Sequence, residues 1–406
     1  MALPILEIFG MVFVAIFIYN IISIYTSPLS RIPSAGFGAT FSRLLWTFPQ
    51  EYKGAITLTL PELHKKLGPL IRIGPNEVSF YSRETYETVH KVGSKFKKDP
   101  RVYGQFVQGG HAALFSITQR PGGAFQAKED HGTALLPKQA DFSFGTTINA
   151  LDSWASGEQL AMVEKNDEKA TWMPVLTNFP MLCGFWEHAE QSLYTLTGFR
   201  TKYSQGLFDF HNWTRKSWQA ALSTESDYGT PISSPNLIQT LCNAGLPAET
   251  ALSEAGENLG PGTDTTSATL AHILWALAHN PTFQDALYQD LASVDFSTDM
   301  TTLENIPRLQ ACVKEGIRWA GAAAAMLPRI VPPGGIEIHD TFIPEGTVLT
   351  SSPIWYLHDE NAFPNPKLYD PYRWLSKDGK DLTVDALRDR YYIPFSRGAN
   401  LCLGAQ

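Results

Sequence analysis

The residues best suited to chemistry lie close to the C-terminus, in Phe395-Ser396-Arg397-Gly398-Ala399-Asn400-Leu401-Cys402-Leu403-Gly404. A soft thiolate such as that of Cys402 suits iron, and a haem takes one Cys as an axial ligand. Such a thiolate has to be shielded and given backbone N–H donors that tune it. Gly398 and Gly404 allow the backbone to wrap closely around the sulfur. Taken alone, the same segment reads more commonly as a buried, inert Cys in a glycine-containing loop. Upstream, Glu315 and Arg318 stand at i, i+3, on one helix face and within pairing reach. An exposed surface pair is the more ordinary reading of that spacing. Asp264 and Thr265 fall inside a long helical stretch, where such residues often satisfy backbone carbonyls or face water.

In their order along the chain these segments resemble the cytochrome P450 family. The Cys402 loop resembles the family's Phe-x-x-Gly-x-Arg-x-Cys-x-Gly and keeps four of its five fixed positions: Phe395, Gly398, Cys402 and Gly404. Asn400 stands where the family usually has the Arg that pairs with a haem propionate. Glu315-Gly316-Ile317-Arg318 resembles the family's Glu-x-x-Arg, and Pro371-Tyr372-Arg373-Trp374 its Pro-Glu-Arg-Trp. The resemblance implies that Arg373 joins Glu315 and Arg318 in a buried charge network behind the ligand loop. Pro261-Gly262-Thr263-Asp264-Thr265-Thr266 resembles Ala-Gly-x-Asp-Thr-Thr in the helix over the distal haem face. In that setting Gly262 leaves room for dioxygen, Thr265 hands on a proton and Asp264 helps to supply protons. Pro261 removes an N–H and is expected to kink the helix.

Smaller agreements extend the match. Arg329, in Leu327-Pro328-Arg329, matches an arginine that contacts a haem propionate. Leu357-His358-Asp359 and Phe363-Pro364-Asn365-Pro366 resemble the family's run before Pro-Glu-Arg-Trp. His131 sits where the family often has His or Trp, and Leu135 replaces a second propionate-binding Arg. Ala140 to Gly145 resembles a segment that usually lies several dozen residues beyond that His. The resemblance spans Leu70 to Gly404 and is strongest from Glu249 onward.

The implied fold is mostly α with a small β region (α+β), the cytochrome P450 domain, over residues 28–406. The implied activity is insertion of one oxygen atom from O2 into a hydrophobic small molecule. Haem with an axial cysteine thiolate is the implied cofactor, with NADPH electrons delivered by a membrane-bound reductase. Arg388, Arg390 and Arg397 are candidates for docking that reductase, although a solvated surface is the plainer reading. Candidate pocket walls lie near Phe106 to Phe115, Glu257 to Gly260 and Met326 to Val331. The pattern is similar to filamentous-fungal members of secondary-metabolite biosynthesis. The chain ends four residues after Cys402, whereas family members continue into a further helix and a terminal hairpin. The interval from His131 to Thr265 is also short. The domain is therefore expected to be C-terminally truncated, and two alternatives stay open. One is a haem-poor, non-catalytic remnant; the other is a haem-thiolate isomerase or dehydratase, against which Asp264 and Thr265 argue.

The elements around these residues are partly legible. From Ile5 to Tyr25 the chain is almost wholly apolar, interrupted by Glu7, Asn20 and Ser23, and about 20 such residues suffice to cross a bilayer. Arg31, Arg43 and Lys53 follow while no Lys or Arg precedes, which leaves the body cytosolic. Residues 1–27 thus read as a single-pass anchor, with a cleaved signal peptide as the main rival, although a basic start and a small-residue cleavage site are not clear; the resemblance implies that the membrane is that of the endoplasmic reticulum. Strands are predicted at Leu70–Ile73 and Val78–Tyr81, helices at Arg83–Val92, Glu249–Asn280 and Leu309–Trp319, and strands at Ile336–Ile338 and Val348–Thr350 around a turn at Pro344–Gly346. The tail from Phe363 reads mostly as loop, and the middle, from about Gly109 to Leu246, shows no sustained period. Thirty-two Lys and Arg against 40 Asp and Glu leave a net charge of −8, which argues against a nucleic-acid partner. The four cysteines, Cys183, Cys242, Cys312 and Cys402, are scattered. That excludes a CxxC zinc site and fits a reducing compartment.

Overall fold

The computed structural model describes residues 24–106, 174–201 and 237–405 almost continuously, together with a few single positions elsewhere. The chain is mostly helical with a small sheet region and divides into two compact units. One comprises Met1–Gly122, Glu164–His211 and Met326–Ser351; the other comprises Gly123–Val163, Asn212–Ala325 and Ser352–Gln406. Among the described residues no helix is long and apolar enough to cross a membrane. Most of the apolar run Ile5–Tyr25 lies outside them, as do His131, Leu135 and Ala140 to Gly145.

The first unit is built on a five-stranded sheet. In chain order it contains helix α1 (Ile56–Leu67), strands β1 (Leu70–Gly74) and β2 (Glu77–Phe80), helix α2 (Arg83–His90), strand β3 (Lys97–Lys98) and helix α3 (Pro180–Thr197). Strands β4 (Arg329–Ile330), β5 (Ile336–Ile338), β6 (Thr341–Ile343) and β7 (Val348–Thr350) follow. The sheet order is β1-β2-β7-β4-β3, with β2 and β7 parallel and the other pairs antiparallel. Both predicted early strands form, and all their residues are buried, as befits a sheet covered on both faces. Ser82 starts α2 because its hydroxyl accepts the Thr85 N–H at 3.2 Å.

One expectation is corrected here. Ile336–Ile338 and Val348–Thr350 are strands, but they do not pair around Pro344–Gly346. Ile336–Ile338 forms a separate hairpin with Thr341–Ile343, while Val348–Thr350 enters the main sheet between β2 and β4. The hairpin turns at His339 and Asp340, both with positive φ (48° and 56°), the conformation that a right-twisted two-residue hairpin demands. Asn-Gly is the usual signal for that turn, and His-Asp carries little of it.

The second unit is helical: α4 (Leu237–Asn243), α5 (Ala248–Ala278), α6 (Pro281–Ala292), α7 (Pro307–Ala320) and α8 (Ala386–Tyr391). The backbone stays helical through Pro261, so the expected kink does not interrupt α5. The helix ends at Ala278, and Pro281 opens α6 at its first turn, where a missing N–H costs nothing. Helix α7 stops at Gly321, which adopts φ 52° and donates its N–H to Ile317 O at 3.3 Å. Its central Gly316 faces Ile273 of α5, and a Cβ there would overlap that side chain. The core of this region gathers Phe283, Leu287, Ala311, Cys312, Ala362, Phe363, Trp374 and Leu375. A second cluster, Ile238, Leu241, Leu246, Ala251, Leu252 and Ala255, joins α4 to the start of α5.

Candidate functional site

Glu315 and Arg318 project from the same face of α7, as the i, i+3 spacing requires, and both side chains are fully buried. Arg318 grips the carboxylate through Nε at 2.9 Å and Nη2 at 2.7 Å. Arg373, from the turn at Pro371–Trp374, adds Nε at 3.1 Å. Two further donors were not foreseen: the indole Nε1–H of Trp374 at 2.9 Å and the backbone N–H of Asp370 at 3.0 Å. A buried carboxylate is tolerated only when its lone pairs are filled, and this one accepts from four residues. Arg318 in turn donates to the carbonyls of Leu357, Pro366 and Leu368 at 2.9–3.1 Å. The ion pair therefore fastens the irregular stretch from Leu357 to Trp374, which has few ladder hydrogen bonds of its own, onto α7. Trp374 stood within the quoted Pro-Tyr-Arg-Trp segment, but an indole has no spacing rule that would reveal its partner.

Arg388 is corrected. It is not available for docking a reductase, being only 5% exposed. Its guanidinium lies 4.5 Å from the Trp374 ring centroid, and it donates to Thr383 O and Arg373 O, each at 2.5 Å. Arg397 is exposed and Arg390 half-buried.

The Cys402 loop is folded back on itself. Ser396 (φ 61°) and Gly398 (φ 71°) both take the left-handed conformation that redirects the chain. Leu401 N–H then donates to Gly398 O at 3.1 Å, and Cys402 N–H to Phe395 O at 2.9 Å. Phe395, Gly398, Cys402 and Gly404 are thus drawn into one closed loop. Of the four cysteines Cys402 alone is exposed; Cys312 is buried and Cys183 and Cys242 are half-buried. The chain crowding around the thiol raises its pKa, and the Gly404 N–H works in the opposite direction by favouring the thiolate. A Cβ at Gly404 would stand 3.8 Å from the sulfur. A cysteine in a loop closed by backbone hydrogen bonds, with the Gly404 N–H favouring its thiolate, is what an iron–thiolate bond needs, so the loop fits that ligand. Asn400, in the short turn Gly398–Asn400, offers no positive charge to a propionate.

On α5, Thr265 is exposed and its carbonyl accepts the Thr269 hydroxyl at 2.8 Å. Among the described residues, a Cβ on Gly262 would meet nothing within 4 Å. The side chains of Asp264 and of Glu257 to Gly260 lie outside the described residues, as does most of Phe106 to Phe115. Arg329 belongs to the other unit, on β4, and is 2% exposed. Its Nη1 donates to Tyr103 Oη at 2.6 Å and to Pro328 O at 3.0 Å.

The sequence profile of the cytochrome P450 family matches residues 139–406. The cytochrome P450 monooxygenase phqM of Penicillium fellutanum is 26% identical over 93% of this chain and 78% of its own length. Cytochrome P450 monooxygenase macH of Penicillium terrestre is 28% identical over 94% of this chain and 84% of its own. The fusicoccadiene C-8 hydroxylase of Alternaria brassicicola is 25% identical, over 94% and 81%.

Proposed function

Because the chain belongs to the cytochrome P450 family, we propose that it inserts one oxygen atom from O2 into a hydrophobic small molecule of fungal secondary metabolism. Membership makes it an oxidoreductase of the monooxygenase class, with haem-thiolate as cofactor and electrons supplied by a redox partner. The observation that carries the proposal is Cys402 in its closed loop, an exposed residue whose own N–H donates to Phe395 O and whose sulfur lies beside Gly404. The haem, once bound, supplies the activation of dioxygen; the chain supplies placement, shielding and protons.

Cys402 is assigned as the iron ligand. Phe395, Gly398 and Gly404 shape its loop, and Glu315, Arg318 and Arg373 brace the chain ahead of it. Thr265 offers its Oγ1 as the hydroxyl that passes a proton, and Asp264 draws protons from solvent. Arg329 is assigned to a haem propionate. The name of the Alternaria relative, fusicoccadiene C-8 hydroxylase, supports hydroxylation as the form that this insertion takes. The apolar run Ile5–Tyr25 supports a single-pass anchor in the endoplasmic reticulum with an NADPH-dependent reductase as partner. The test is the carbon monoxide difference spectrum of the reduced protein. The intact chain should show the strongly red-shifted Soret band of thiolate-bound haem, and Cys402→Ala should lose it while Cys183→Ala, Cys242→Ala and Cys312→Ala keep it. An unchanged band in Cys402→Ala overturns the ligand assignment.

A further inference from the structure

Two cations meet across the sheet of the first unit. Lys98 on β3 and Arg329 on β4 are register partners and are 9% and 2% exposed; like charges so placed repel. Both lie over the ring of Tyr103, each 5.2 Å from its centroid, and the electron-rich face of an aromatic ring attracts cations. Tyr103 is itself 2% exposed and also sets the direction of Arg329. Its hydroxyl takes one proton of Nη1, and Pro328 O takes the other. With Nη1 saturated, the fork cannot rotate without breaking two buried hydrogen bonds.

The same guanidinium lacks a counter-anion. Among the described residues no carboxylate pairs with Arg329, and its Nη2 makes no hydrogen bond. The acids of this region are engaged elsewhere: Glu77 with Arg43 and Arg101, and Asp99 with Arg101. His90, 1% exposed, lies in the same field; burial first, then Arg329 and Arg83, hold its ring neutral. A buried cation without an anion is costly, and buried charges are ordinarily paired. A planar fork with one edge anchored and the other open is suited to a carboxylate.

We propose that Tyr103 is a positioning residue whose hydroxyl holds the Arg329 fork with its Nη2 edge free to take a carboxylate, that of a haem propionate. The inference rests on the haem reading above. Its test uses the full chain loaded with haem or with haem dimethyl ester, which lacks the carboxylate charge, and follows transfer to an excess of a haem-scavenging protein. Tyr103→Phe keeps the ring and removes only the acceptor. It should hasten loss of haem about fivefold, the worth of one buried hydrogen bond, and leave loss of the dimethyl ester unchanged. Arg329→Gln should hasten loss of haem further, and adding Tyr103→Phe to it should change nothing more. Acceleration that is equal for both haems, or that persists on the Arg329→Gln background, would mean that Tyr103 only stabilises the sheet. If Arg329→Gln loosens haem and Tyr103→Phe does not, the inference fails while the haem reading stands. If the unmodified chain takes up no haem, both fail. Melting curves of each variant distinguish loss of the fork from loss of the fold.

Discussion

Trp374 donates its indole N–H to Glu315 at 2.9 Å while its ring carries the Arg388 guanidinium 4.5 Å from the centroid. One side chain thus links a buried carboxylate, already paired with Arg318 and Arg373, to a third cation. Trp374→Phe would retain most of the ring and delete only the donor to Glu315. A hydrogen bond to a buried charge is worth about 1.5–3 kcal/mol, so the variant should unfold at lower denaturant by that amount. Urea unfolding checks this; an unchanged midpoint would mean that the other donors to Glu315 compensate fully.

Glu315→Gln should be more damaging, because it leaves Arg318 buried without its counter-charge. Breaking a buried pair from one side costs about 3–5 kcal/mol. Arg318→Lys should not be mild either, since a single ammonium cannot reach both Glu315 and the carbonyls of Leu357, Pro366 and Leu368. Both variants are expected to yield little soluble protein. Wild-type yield and midpoint in either one would show that the network is not needed for folding.

His64 predicts a pH dependence. Its Nδ1 lies 2.8 Å from Gly68 O and its Nε2 2.8 Å from the Ser79 hydroxyl, and burial lowers its pKa from 6.5 to about 4. The folded chain therefore binds fewer protons here than the unfolded chain between those two values. The stability this group supports is fully present above pH 6.5 and is lost as pH falls toward 4. The change amounts to about 3 kcal/mol across the window. His90 and His358 are shifted in the same direction and add to the slope. Urea midpoints between pH 7 and 4 should fall more steeply for the wild type than for His64→Gln; parallel curves would remove His64 as a source.

Gly316 marks the closest approach of α7 to α5. Gly316→Ala puts a methyl group into the Ile273 side chain, and overpacking of this kind costs about 1–3 kcal/mol. Ile273→Ala in the same chain should recover part of the loss by making room. A double variant no more stable than Gly316→Ala alone would place the strain elsewhere.

Thr265→Ala should uncouple electron use from product formation if its hydroxyl passes the proton. The measurement is NADPH consumed against product formed, with peroxide accounting for the difference. Unchanged coupling would leave Thr265 as a helix residue whose carbonyl merely accepts from Thr269.

Local chemistry along the chain determined a good deal by itself. The spacing of Glu315 and Arg318 puts them on one face of any helix, and Phe395 to Gly404 carries the turn-permitting residues around its cysteine. The long helix from Ala248 and the strands flanking Pro75-Asn76 follow from periodicity and punctuation. Tertiary structure decided what no local rule reaches. Val348–Thr350 pairs with strands 271 residues upstream and 18–20 residues upstream instead of with its neighbour, because a strand finds whichever edge buries both its faces. Trp374 reaches Glu315, Tyr103 reaches Arg329 and Arg388 turns inward for the same reason. A polar group removed from water must find a partner, and which partner is nearest depends on how distant segments pack.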